Sequence, residues 1–158
     1  MRSVFTALIF LVMLQSINSQ SNIPSDLESS FSAIIVSDIE SSIQWYNQVL
    51  GYTLVDQRSI DEIGLKQANL ENNDLSLELI QLKSAKPAHD LLAPYPPKTR
   101  VRGFFKIGYS IYDFDKWISH LNSLDVNING DVVLNPLTNK RMIIVNDPDG
   151  NRIQLFEE

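Results

Sequence analysis

An internal repeat constrains this chain more than any other feature. Val36-Ser37-Asp38-Ile39-Glu40 is answered by Ile111-Tyr112-Asp113-Phe114-Asp115, with Asp113 standing 75 positions after Asp38. Each acid has the form of a helix N-cap, and each follows a short apolar run rich in β-branched residues. In the first copy, Phe31–Val36 reads as a strand. Ile39, Ile43, Tyr46, Val49 and Leu50 then recur at helical spacing, and Gly51 suits the stop. Strands are predicted over Tyr52–Ser59, Lys66–Glu71 and Leu75–Leu82, separated by turn-forming sequence. The second copy repeats the order: a strand at Phe104–Ile111, a helix whose Phe114, Trp117, Ile118, Leu121 and Leu124 share one face, and strands at Val132–Leu134, Arg141–Asn146 and Arg152–Phe156. Asp147-Pro148-Asp149-Gly150 reads as a tight turn between the last two. The fold class that follows is α+β, with one domain over 31–158. Half one spans 31–82, a linker holding four prolines spans 83–103, and half two spans 104–158.

Upstream of the repeat the sequence changes character. Arg2 precedes an apolar run from Val4 to Leu14, followed by small and polar residues. This is the form of a secretory signal peptide, with Ser19 as the last residue before cleavage. The run is too short for a spanning helix, which needs roughly 20 apolar residues. Residues 20–30 are polar and read as a flexible lead-in. The mature chain is therefore expected to be secreted or periplasmic, with no stable membrane anchor. Composition narrows the partners. The chain has no cysteine, so disulfides, thiolate metal sites and a cysteine nucleophile are excluded. A net charge of −6 over 158 residues argues against nucleic acid as a partner.

Two βαβββ units, a V-x-D-[hydrophobic]-E cap before a helix holding Trp45-Tyr46 and ending Leu50-Gly51-Tyr52, and a final D-P-D-G-N-R-I-x-L resemble the vicinal-oxygen-chelate superfamily. That superfamily includes glyoxalase I, bleomycin-resistance proteins and extradiol dioxygenases. The resemblance covers most of residues 31–158. It implies an open cup of eight strands with helices outside, a ligand held in the cup, and a homodimer that completes it.

In metal-dependent members, four strand positions hold a divalent cation, typically with His on the first strand and Glu on the last strand of each half. Carried onto this chain, the four positions are Phe31, Glu78, Lys106 and Gln154. Only Glu78 is a good ligand. Phe cannot coordinate, Gln is neutral and weak, and a protonated Lys repels a dication. The resemblance therefore implies a cup without metal or other cofactor. Lys106 beside Glu78 stands where the cation would be, either as a buried ion pair or as a fixed charge that receives a ligand oxygen. Lys98, Arg100 and Arg102, in the linker just upstream, form a local cationic cluster that would suit an anionic ligand. His89 is placed in the linker and His120 at the solvent edge of the second helix. Trp45, Tyr46 and Trp117 match core positions. Two function classes stay open. One is a metal-free small-molecule binder. The other is an enzyme, either a metal-dependent lyase or dioxygenase, or a metal-free acid–base catalyst using Glu78 and Lys106.

Overall fold

The computed structural model describes residues 30–91 and 102–158, without the side chains of residues 88 and 89. The predicted signal peptide, nearly all of the lead-in, Lys98, Arg100 and the His89 side chain lie outside the described residues. Half one runs β1 (Ser32–Ile35), α1 (Ile39–Leu50), β2 (Thr53–Ile60), β3 (Leu65–Asn72) and β4 (Leu75–Leu82). A one-turn helix, α2 (Ala88–Leu91), lies in the linker. Half two runs β5 (Ile107–Ile111), α3 (Phe114–Ser123), β6 (Val133–Leu134), β7 (Arg141–Asn146) and β8 (Arg152–Glu157).

Both long helices start as the sequence dictates. The Asp38 carboxylate accepts the Ser41 backbone N–H at 2.8 Å, and the Asp113 carboxylate accepts that of Lys116 at 3.0 Å. The Ser41 N–H holds the Asp38 carboxyl below its ordinary range. Gly51 ends α1 in the left-handed region at φ 72°. Strand boundaries differ from expectation by a few residues. Phe104–Lys106 precede β5 because the ladder begins where Ile107 meets Ile153, and β8 starts only at Arg152. Tyr52 lies outside β2 and is buried in the core.

The strands form two separate four-stranded sheets, ordered β1-β4-β3-β2 and β5-β8-β7-β6, rather than one closed barrel. In each sheet the first strand pairs in parallel with the last and the other pairings are antiparallel. Alternation gives each sheet two faces. One face carries Leu70, Leu77, Leu79, Ile143, Val145, Ile153 and Leu155 into a core that also takes Ile39, Tyr46, Phe114 and Leu121 from the helices. The other face of each sheet is the cup face.

The halves are fastened by side chains, not by a ladder. The buried Tyr46 hydroxyl donates to the buried Asp147 carboxylate at 3.0 Å. Burial first, and then the Asp147 charge, push the Tyr46 phenol far above its usual pKa. The Ser37 N–H donates to both carboxylate oxygens of Asp149, each at 3.1 Å. The Asp147–Gly150 segment is therefore a clasp as well as a turn. His120 also departs from expectation. It is half-buried, with Nε2 3.1 Å from the Val49 carbonyl of half one and its ring edge-on to Trp117.

Candidate functional site

Register places the four family positions as the repeat requires. Ala33 lies opposite Glu78 and Gly108 opposite Gln154, so Glu78 and Gln154 point to the cup face of their sheets. Phe31 and Lys106 each stand one residue before the first strand of their half. The two halves then treat these positions differently.

In half one, the row across the sheet is Ala33, Glu78, Asn69 and Asp56. It floors a cavity of about 480 Å³ lined by Phe31, Val55, Asp56, Glu71, Ser76 and Glu78, among others. Asn69 Nδ2 donates to Asp56 at 2.9 Å, and the Arg58 guanidinium donates to the Gln67 carbonyl oxygen. The Glu78 carboxylate makes no hydrogen bond or ion pair among the described residues. Asp56, Arg58, Gln67 and Asn69 were not singled out from the sequence. The alternation in Lys66-Gln67-Ala68-Asn69-Leu70 could have flagged two of them, since Ala68 and Leu70 take the core face.

In half two, the cup face is filled by its own side chains. The Lys106 ammonium donates to the Gln154 carbonyl oxygen, and Gln154 Nε2 donates to the Met142 sulfur at 2.8 Å. Gln154 is only 3% exposed. Gly108 matters here, because a Cβ at this position would lie 3.0 Å from Phe156 Cε2. The Arg152 guanidinium sits 4.9 Å from the centre of the Phe105 ring. Thus Phe31 is brought to Glu78 and Lys106 to Gln154. No hydrogen bond or ion pair joins Glu78 to Lys106: Glu78 lies in the first sheet, whereas Lys106 leads into the second and bonds Gln154 there. Arg102 is exposed and is not among the residues lining the half-one cavity.

This donor set does not fit a divalent metal. The Phe31 ring has no lone pair to give. Lys106 brings a positive charge, and its N–H is bonded to the Gln154 oxygen, the side-chain atom a cation would need. Among the described residues, no three His, Cys, Asp or Glu side chains converge to hold a metal.

Comparison with known proteins agrees with this geometry at the level of fold. Residues 30–155 match the Glyoxalase/Bleomycin resistance protein/Dioxygenase superfamily. The chain is 30% identical over 133 residues to the uncharacterized protein YaeR of Escherichia coli, covering 80% of this chain and 92% of that protein. A glyoxalase family protein from Enterococcus faecalis superposes with a TM-score of 0.70 at 19% identity, covering 82% of this chain and 97% of that one. The fosfomycin resistance protein FosX from Listeria monocytogenes, solved with Mn(II) and sulfate, superposes with a TM-score of 0.58 at 13% identity, covering 86% and 94%.

Proposed function

Because the chain belongs to the Glyoxalase/Bleomycin resistance protein/Dioxygenase superfamily, we propose that it is an exported protein that binds a small molecule in its strand-lined cup without a metal ion. The Lys106–Gln154 bond carries this reading. It joins two of the four family ligand positions to each other, while Phe31 offers nothing to a cation. The half-one cavity supplies apolar walls from Phe31 and Val55 and a carboxylate, Glu78, without a partner among the described residues. Lys106 keeps two N–H donors beyond its bond to Gln154, so an anionic group on the ligand has a receiver. The export half of the proposal rests on Arg2 and the apolar run Val4–Leu14.

The proposed assembly is a homodimer. The cup faces leave Phe31 61% and Ile35 55% exposed in half one, with Phe105 54% exposed at the edge of half two. Half one presents Asp56, Glu71 and Glu78, and half two presents Lys106 and Arg152, so a second copy offers the opposite charge to each face.

The deciding experiment is metal analysis of the purified mature protein after dialysis, followed by titration with Zn²⁺, Ni²⁺, Fe²⁺ and Mn²⁺. No stoichiometric binding is the expected result, and one tightly held ion per chain would overturn the reading. Once a ligand is found by screening, Lys106→Met should weaken an anionic one by about 1.5–3 kcal/mol, the size of a charged hydrogen bond. N-terminal sequencing of protein from native cells should begin near residue 20. Light scattering at tens of micromolar should give twice the chain mass.

A further inference from the structure

The repeat makes two junctions between the halves equivalent, and only one of them carries the carboxylate clasp; the other is crossed by the His120–Val49 and Tyr52–Tyr109 hydrogen bonds. Leu70 and Val145 hold matching places, opposite Leu77 and Ile153. Asn72 therefore corresponds to Asp147, Ser37 to Tyr112 and Tyr46 to Leu121. The hairpins differ in length: two residues, 73–74, follow Asn72, whereas three, 148–150, follow Asp147. At the clasped junction, Tyr46 reaches Asp147, and the longer turn carries the Asp149 carboxylate to the Ser37 N–H.

At the other junction each of those elements is missing. Leu121 has no hydroxyl, and Asn72 Nδ2 turns away to the Leu50 carbonyl at 2.8 Å. The shorter turn brings no carboxylate to Tyr112, whose N–H has no partner among the described residues. The gap is a cleft of about 770 Å³, within the roughly 300–1,000 Å³ usual for small-molecule sites. Asn72, Asn73, Tyr112, Lys116, Trp117 and His120 line it. It is remote in register from the cup, because Tyr109 and Ile111 present the core face of β5 to it.

We infer that this cleft binds a small aromatic carboxylate. Its anionic end takes the place at the Tyr112 N–H that Asp149 holds at the Ser37 N–H, and its ring lies against Tyr112 and Trp117. Lys116 supplies the positive charge. It has no ion pair among the described residues, and the residue at the matching place in half one is the uncharged Ser41. Asp113 and Asp115 nearby do not preclude an anion, since Asp38 and Glu40 hold the same places beside the Asp149 carboxylate. Tyr112 is 88% exposed, so its ring is available for stacking.

The test is titration of the isotope-labelled full chain with 2-naphthoate and, separately, with the uncharged 2-naphthamide, followed by NMR. Naphthoate should move the Tyr112 amide and Trp117 indole resonances saturably. The amide should bind about tenfold more weakly, and Lys116→Gln should weaken naphthoate by about the same factor. Lys116 is exposed on α3, so that variant should keep its circular dichroism spectrum. The cup variants Glu78→Gln and Lys106→Met should leave the titration unchanged, which separates this site from the proposed cup function. Absence of saturable shifts at Tyr112 and Trp117, equal binding of the two probes, or loss of binding in the cup variants would each overturn the inference.

Discussion

The Asp147 carboxylate accepts four hydrogen bonds: from the Tyr46 hydroxyl at 3.0 Å, the Asp149 N–H at 3.0 Å, the Asn151 N–H at 2.8 Å and Asn151 Nδ2 at 2.9 Å. This is how a carboxylate is kept 4% exposed with no cation paired to it among the described residues. Tyr46→Phe removes one donor of the four, the one that crosses from the other half. Urea unfolding should show a loss of about 1.5 kcal/mol, the low end for a hydrogen bond to a charged group because three donors remain. The role of Asp147 was not legible in the sequence. Three of the hydrogen bonds it accepts are local and look like any Asp-Pro-Asp-Gly turn, while the fourth donor is 101 positions away. His120 failed for the same reason, since its partner, the Val49 carbonyl, lies in the other half. By contrast, the inward register of Glu78 and Gln154 could be read directly, because alternation along a strand is a local property.

Elements are joined by a few contacts that carry their own tests. Gly64 closes the short 3-10 turn Asp61–Ile63 before β3 at φ 62°, and a Cβ there would lie 2.7 Å from the Lys83 Cβ. Both the backbone and the space require glycine. Gly64→Ala should therefore lower stability by roughly 1–3 kcal/mol, read as a shift in the denaturation midpoint. Arg141 on β7 donates to Glu157 on β8 at 2.6 Å and to Asp115 on α3 at 2.6 Å, tying helix to sheet. Its hydrogen bonds hold the Glu157 carboxyl down at about 2, against an ordinary 4.5. A depressed carboxyl adds stability above its unfolded-state value and loses that contribution as pH falls toward the folded value. The stability difference between the native protein and Glu157→Gln should therefore be constant above about pH 5 and shrink between pH 4.5 and 2. Acid titrations of the two proteins monitored by circular dichroism would show it.

For the molecule as a whole, the doubled strand–helix–strand–strand–strand order was readable because caps, turn residues and periodicity are all local signals. What that order does not state is which strands become neighbours. In both sheets the first strand pairs only with the last, so β1 waits for β4 and β5 waits for β8. Nor could it state that the two sheets stay unconnected by a ladder, with Asp147 and Asp149 clasping one junction and the His120–Val49 and Tyr52–Tyr109 hydrogen bonds crossing the other, because these partners meet only in the folded chain. The site is divided in the same way. The identities at Phe31, Glu78, Lys106 and Gln154 were on the page from the start, whereas the Lys106 partner depended on the packing of half two.

The late arrival of β8 has a consequence for synthesis. The second sheet has β8 at its centre, between β5 and β7, and β8 follows every other strand of that sheet in sequence. That sheet therefore cannot assemble until β8 has left the ribosome, well after its edge strand β5 has emerged. Half one is free to close once Leu82 has emerged. A stop codon that ends translation at residue 151 would remove β8, and so strip β5 of its ladder partner and expose Ile143 and Val145. Such a shortened polypeptide should bind hydrophobic dye and be digested by protease through half two, with a resistant fragment ending near the linker.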